Sequence, residues 1–246
     1  MHNLRELRLN GYGFVRISRE SVATRENPQI SGSLTLNSVR IPESVFSVLA
    51  ECPQLEALTL DRIGISKDAL SVLSECSRLE TLTLCGVWMT EEVSRAFAGL
   101  ANLRCLRLSL GGINLTEIGE LPALEELVLQ GSGTKLTEEE LKTLCRHDRL
   151  QRLSLLGVDV SDEDLRQIAS LHELKFLEIS AWSDDLMMGH SKSRVSPSGL
   201  LYLQQLPKLR EVRLQLEADD VATETAAELE KEIRARANAQ ERVISE

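Results

Sequence analysis

The residues best suited to nucleophilic, proton-transfer or metal chemistry are four histidines, His2, His147, His172 and His190, and five cysteines, Cys52, Cys76, Cys85, Cys105 and Cys145. Their spacing argues against all three roles. There is no C-x-x-C pair and no H-E-x-x-H segment, so neither residue type has the local pattern of a metal site. Cys145 and His147 lie close in sequence, as a Cys–His nucleophile would need. Side chains two apart on a helix diverge, however, and nothing nearby supplies an oxyanion hole. Gly131-Ser132-Gly133-Thr134-Lys135 lacks the length of a phosphate-binding G-x-x-x-x-G-K-[ST] loop and reads as a turn between a strand and a capped helix. No catalytic residue, metal or cofactor is expected, and the chain is read as a non-enzyme.

Charge and composition narrow the partners. A net charge of −10 opposes nucleic acid and anionic membranes, both of which call for a basic footprint. About half of that charge belongs to residues 217–246, which hold nine acidic and four basic residues. No apolar run reaches the roughly 18 residues of a membrane-spanning helix, and the opening MHNLRELRLNGYG has no signal-peptide pattern. Five cysteines, an odd number without a disulfide framework, suit a reducing compartment, so a cytoplasmic location is expected. Hydrophobic residues make up 42% of the chain but aromatics only 3%. The core must therefore be aliphatic, chiefly leucine.

Those leucines recur. The pattern L-x-x-L-x-L begins at Leu4, then in degenerate form at Ser31, and again at Leu55, Leu79, Leu103, Leu124, Leu150, Leu174 and Leu209. The spacings are 27, 24, 24, 24, 21, 26, 24 and 35 residues, a repeat period typical of solenoids. Within each unit the L-x-L portion alternates, as a half-buried strand requires. A glycine follows (Gly64, Gly86, Gly131, Gly157), then a Ser or Thr with acids behind it: Ser66-Lys67-Asp68, Thr90-Glu91-Glu92, Thr137-Glu138-Glu139, Ser161-Asp162-Glu163. Such residues cap a helix N-terminus and complement its dipole, and Thr137 with Glu140 fits a capping box. Apolar residues then follow at helical spacing: Leu70, Leu73 and Cys76; Val93, Ala96 and Leu100; Leu165, Ile168 and Leu171. Each unit is strand, turn, short helix, return.

A single unit cannot bury its apolar side; stacked neighbours can. Strands about 4.8 Å apart on one side and helices about 10 Å apart on the other must bend the stack, with the sheet lining the hollow. The chain thus resembles the leucine-rich repeat proteins over about residues 1–216. It is similar to bacterial arrays of the form LxxLxLxGTxVTDxGLxxLxxL and to ribonuclease-inhibitor-type repeats, as in RLSLLGVDVSDEDLRQIASL at 152–171. The resemblance implies an α/β right-handed solenoid, or horseshoe, of about nine repeats, with a parallel sheet on the concave face and short helices on the convex face. It implies binding and brings no catalytic residues. The family's usual turn Asn is replaced here by Ile63, Val87 and Val158, so the turn side should pack as an apolar stripe. Cys52 and Cys76 occupy a slot that holds Leu100, Leu121, Leu171 and Leu206 elsewhere, and are read as small core residues.

Two stretches break the period. Residues 1–30 form a degenerate first repeat without a clear helix, and residues 181–197, AWSDDLMMGHSKSRVSP, are an insertion. Residues 217–246 read as an acidic helical cap or tail with a thin stripe of Ala226, Leu229, Ile233 and Ala237, too weak a heptad pattern for a coiled coil. A monomer is expected.

Residues between the leucines should line the hollow. The early rungs offer mainly Thr and Ser, whereas the later ones gather Val128, Leu156 and Phe176, flanked by Arg152 and Glu178, with Trp182, Met187 and Met188 on the insertion. Aromatic and Arg residues on an open sheet are the usual centre of an interface. These eight residues form the candidate partner-binding site; the competing reading is an insertion that folds back to hide Phe176 and Leu156. The expected function is a non-catalytic protein–protein interaction scaffold or adaptor, binding a protein on its concave face. The alternative is the substrate-recognition arm of a larger assembly, a ubiquitin ligase or an effector, whose working domain lies on another segment or subunit. No F-box-like segment is visible in the sequence.

Overall fold

A computed structural model describes residues 6–10, 14–16, 34–37, 55–61, 76, 78–86, 97, 99–110, 114–180, 195–215 and 220–245. The chain forms two compact units, Met1–Leu124 and Glu125–Glu246.

In the first unit β3 (Leu34–Asn37), β4 (Ala57–Asp61), β5 (Thr81–Cys85) and β6 (Cys105–Ser109) pair in parallel, each with the next. The register is that of the repeat: Leu58 faces Leu82 and Leu82 faces Leu106, with Thr35, Thr59, Thr83 and Arg107 in the row beside them. Leucines of the L-x-L alternate inward, so Leu58, Leu60, Leu82, Leu84, Leu106 and Leu108 are buried while the residues between them stay half-exposed. The first repeat departs from simple stacking. β1 (Glu6–Asn10) folds into an antiparallel pair with β2 (Phe14–Arg16), and it also meets the start of β4 through Glu6 and Leu7.

In the second unit β7 (Glu126–Lys135), β8 (Arg152–Asp159), β9 (Phe176–Ser180) and β10 (Glu211–Gln215) are parallel neighbours in that order. Five residue pairs join β9 and β10, from Phe176↔Glu211 to Ser180↔Gln215, although 35 residues separate these rungs. The added chain leaves the stacking intact. Gly131–Lys135, expected as a turn, instead continues β7: after a shift in register Thr134 and Lys135 pair with Val158 and Asp159. The reason is close approach, since a Cβ on Gly131 would stand 2.8 Å from the Gly157 carbonyl oxygen, and Gly157 itself has φ 63°. Val158, expected on the turn side, is fully buried but lies within β8; Ile63 and Val87 lie outside the described residues.

Two backbone devices recur with the repeat. A tight turn precedes each of β5 to β9, with Leu79 N–H donating to the Cys76 carbonyl (2.9 Å), Leu103 to Leu100 (3.1 Å), Leu124 to Leu121 (3.0 Å), Leu150 to His147 (3.0 Å) and Leu174 to Leu171 (2.9 Å). At several strand entries one carbonyl then accepts from two successive N–H groups of the next rung. Glu56 receives Glu80 and Thr81, Gln151 receives Lys175 and Phe176, and Lys175 receives Arg210 and Glu211. Stacking thereby satisfies backbone groups that a lone repeat would leave to water. Each leucine that it buries contributes on the order of 1.5–3 kcal/mol.

Two helices of the second unit begin where the sequence pattern puts them. α2 (Glu138–Cys145) carries the Thr137/Glu140 capping box, and α3 (Asp162–Ile168) carries a second box made by Ser161 and Asp164. The first unit has α1 (Leu115–Ile118), capped by Asn114; α4 (Pro197–Leu200), capped by Ser196, continues into a 3₁₀ turn at Leu201–Gln205. The long α5 (Asp220–Ser245) buries Ala222, Ala226, Leu229, Ile233 and Ala237 and packs on β10 and α4. Its polar side chains serve the last rung. Glu230 Oε1 accepts the Leu214 N–H at 2.7 Å, and Arg236 Nη2 donates to the Leu206 and Leu209 carbonyls at 3.0 and 3.3 Å. These bonds satisfy groups that have no further rung to meet.

Candidate functional site

Parallel pairing in the second unit sets three rows of side chains on one sheet face. The first row runs Glu126, Arg152, Phe176, Glu211; the second Val128, Ser154, Glu178, Arg213; the third Gln130, Leu156, Ser180, Gln215. Val128, Arg152, Leu156, Phe176 and Glu178 are therefore brought together. Trp182, Met187 and Met188 lie outside the described residues.

The aromatic group is not left open. Phe176 is 5% exposed, with the Arg152 guanidinium 4.2 Å from its ring centroid and the Arg213 guanidinium 5.2 Å away. A flat cation over a π face gains electrostatically, and the aliphatic stem covers apolar surface. Val128 is also buried, at 3%, and Leu156 is half-buried. Each arginine is paired with a carboxylate: Arg152 Nε lies 3.5 Å from Glu126, and Arg213 Nη2 lies 2.7 Å from Glu211. These pairs are largely solvated and add little to stability, but they orient the guanidinium planes. Ser154 donates to Glu178 at 3.0 Å and Ser180 donates to Gln215 at 3.2 Å. The outcome is an aromatic ring clasped by two exposed cations within a hydrogen-bonded polar field.

Arg213 was the member of this group that the sequence pattern did not single out. It stands in the second row, diagonal to Phe176, and long side chains reach diagonal neighbours on a sheet.

Cys145 and His147, the one close Cys–His pair in the sequence, are engaged in packing. Cys145 is half-buried; its Sγ lies 3.5 Å from the Gln167 carbonyl. Burial pushes its thiol pKa up, only partly opposed by a hydrogen bond with Ser170, the reverse of what activates a nucleophile. His147 is buried, and its Nδ1 lies 3.1 Å from the Leu144 carbonyl; a carbonyl accepts only, so that nitrogen carries the proton. His147 precedes Leu150 by three residues, the offset of Cys76 before Leu79 and Leu171 before Leu174. It therefore fills the leucine slot, a match already present in the spacing. Cys76 is buried in the same slot, and Cys52 lies outside the described residues. Among the described residues no group of three or more His, Cys, Asp or Glu could hold a metal ion. No helix among them is long and apolar enough to cross a membrane.

Two solved structures show a similar trace: an internalin, inlF, from Listeria monocytogenes, and an internalin C2, inlC2, from the same organism. The first is 17% identical with a TM-score of 0.45, over 74% of this chain and 59% of that one. The second is 24% identical with a TM-score of 0.46, over 70% and 68%. The chain thus spans less than two thirds of the first internalin. A search among curated proteins returned no similar sequence. The family model described as "FBD-associated F-box protein At5g56370, LRR repeats" matches residues 2–158, more than half of the chain. With parallel rungs in repeat register and the L-x-L leucines of β4 to β8 buried, the chain belongs to this leucine-rich repeat family and has its α/β solenoid fold.

Proposed function

We propose that this chain is a non-catalytic scaffold that binds a protein partner on the sheet face of its second unit. Solenoid repeats in general present extended surfaces for protein partners. The observation that carries the finer reading is Phe176 beneath Arg152 and Arg213. Aromatic and Arg side chains dominate the binding energy of interfaces. Here the two exposed guanidiniums are already ordered, so little rotamer freedom is lost when they are covered. The partner-facing set is Arg152, Leu156 and Glu178 over the buried Val128 and Phe176, extended by Trp182, Met187 and Met188 of the insertion and now by Arg213. The engaged state of Cys145 and His147 supports a role without catalysis. Free-thiol usage favours the cytoplasm, and a monomer remains the expectation.

The test is affinity purification from native lysate with the unaltered chain and with Arg152→Glu/Arg213→Glu. Both positions are solvated, so the variant should fold, and it should lose the partner recovered by the unaltered chain. Full recovery by a folded double variant would refute the site.

A second reading is favoured by one finding: the matching family's description names an F-box protein. In that reading the repeats are the substrate-recognition arm of a larger assembly such as a ubiquitin ligase. Co-purification of ligase subunits together with a substrate that turns over more slowly when the chain is removed would select it over a plain adaptor.

A further inference from the structure

Six prolines occur in the chain; five follow Asn27, Ile41, Cys52, Leu121 and Leu206, and only Pro197 follows a hydroxyl residue, Ser196. Ser196 is half-exposed and extended, with φ −96° and ψ 163°. Its hydroxyl donates to Asp162 Oδ2 at 2.6 Å and accepts the Gly199 N–H at 3.2 Å, while its own N–H donates to Asp162 Oδ1 at 2.8 Å. Ser198 Oγ stands 2.8 Å from the same hydroxyl. The joint is tight: a Cβ on Gly199 would lie 1.9 Å from Asp162 Oδ1. One carboxylate at the start of α3 thus clasps the turn that begins α4, at the point where the inserted stretch returns to the repeat.

We propose that Ser196 is a phosphorylation site for a proline-directed serine/threonine kinase, and that the phosphate opens the Asp162 clasp. Ser196 Oγ attacks the γ-phosphorus of ATP, an O–P bond forms as the bond to the ADP oxygen breaks, and the hydroxyl proton passes to the kinase base. That proton is the one donated to Asp162, so the phosphoserine has no donor to offer in its place. It brings a charge of about −1.5 to −2 against a carboxylate. On α3 the added charge is not compensated. The first turn of α3 is Asp162, Glu163 and Asp164, and Arg166, the nearest cation on that helix, is paired with Glu163. Repulsion at this range displaces Asp162 and frees the Ser196 amide.

The experiment treats the whole folded chain with a purified proline-directed kinase and magnesium ATP, followed by intact and tandem mass spectrometry and amide hydrogen exchange. One phosphate on Ser196, absent from Ser196→Ala, is expected. Exchange of the Ser196 amide should rise roughly tenfold, as loss of a charge-assisted hydrogen bond implies. In phosphorylated Asp162→Asn, which keeps an acceptor but removes the charge, the rise should be clearly smaller. No uptake by the folded chain, uptake without faster exchange, or an undiminished rise in Asp162→Asn would each overturn the proposal.

Discussion

Removing the Phe176 ring tests whether the clasp on the sheet face is energetically real. Phe176 is 5% exposed, with guanidiniums at 4.2 and 5.2 Å. Truncating a well-buried Phe to Ala typically costs about 3–5 kcal/mol. This ring lies under long, flexible side chains that can collapse into the gap, so Phe176→Ala should fall at or below the lower end, at about 2–3 kcal/mol. Arg152→Ala loses one cation–π contact, about 0.5–1 kcal/mol at a partly solvated site, and a 3.5 Å pair with Glu126 that counts for little. The coupling between them is the sharper quantity. A double-mutant cycle on Arg152→Ala and Phe176→Ala should return about 0.5–1.5 kcal/mol. The assay is urea denaturation followed by both circular dichroism and hydrogen exchange, because repeat arrays can lose cooperativity. A coupling indistinguishable from zero, with Phe176→Ala costing under about 1 kcal/mol, would mean the arginines merely rest near the ring.

Three further perturbations address the fold. Gly131→Ala sets a Cβ 2.8 Å from the Gly157 carbonyl oxygen; neither backbone can yield cheaply, so a loss of about 1–3 kcal/mol is expected in the same denaturation assay, and unchanged stability would contradict the close approach. Thr137→Ala removes the cap whose Oγ1 accepts the Glu140 N–H at 3.2 Å and should cost about 1 kcal/mol, with faster amide exchange confined to the first turn of α2. Hydrogen bonding to Lys208, 2.6 Å away, holds the Glu173 carboxyl below its ordinary range. The folded state binds that proton less well than the unfolded one, so the pair's contribution is complete above the ordinary carboxylate range and is lost as pH falls through the lowered folded value. Proton-detected titration of Glu173 should show the depression, and Lys208→Met should remove most of it, leaving the smaller effect of Lys175 and His172.

The repeat was legible because its cause is local: a leucine must turn inward at every other strand position, and neighbours must match it. The spacing of Leu55, Leu79 and Leu103 sufficed to set Leu58 against Leu82 and Leu82 against Leu106. The Thr137–Glu140 cap was equally readable, since both partners lie within one turn. The Ser161–Asp164 box was missed because the usual signature asks for Glu or Gln, yet the shorter Asp carboxylate accepts the Ser161 N–H at 2.8 Å. Gly131–Lys135 was misread as a turn because two glycines in sequence look like a chain reversal; only the facing Gly157 reveals a close strand contact. The hairpin of β1 and β2 escaped because three residues, Phe14–Arg16, carry no periodicity to read. At the site, Arg152 and Phe176 followed from register, but Arg213 needed the diagonal geometry of three strands to be linked with the ring. Long-range coincidences of this kind leave no local pattern.

The central claim, that a protein partner seats on the sheet face of the second unit, is tested most directly by photo-crosslinking. A photoreactive amino acid is placed in turn at Arg213 on that face and at Arg166 on α3, both solvated positions. The account predicts a defined partner adduct from position 213 that Arg152→Glu suppresses, and none of it from position 166. The same adduct from position 166, with nothing from position 213, would contradict it.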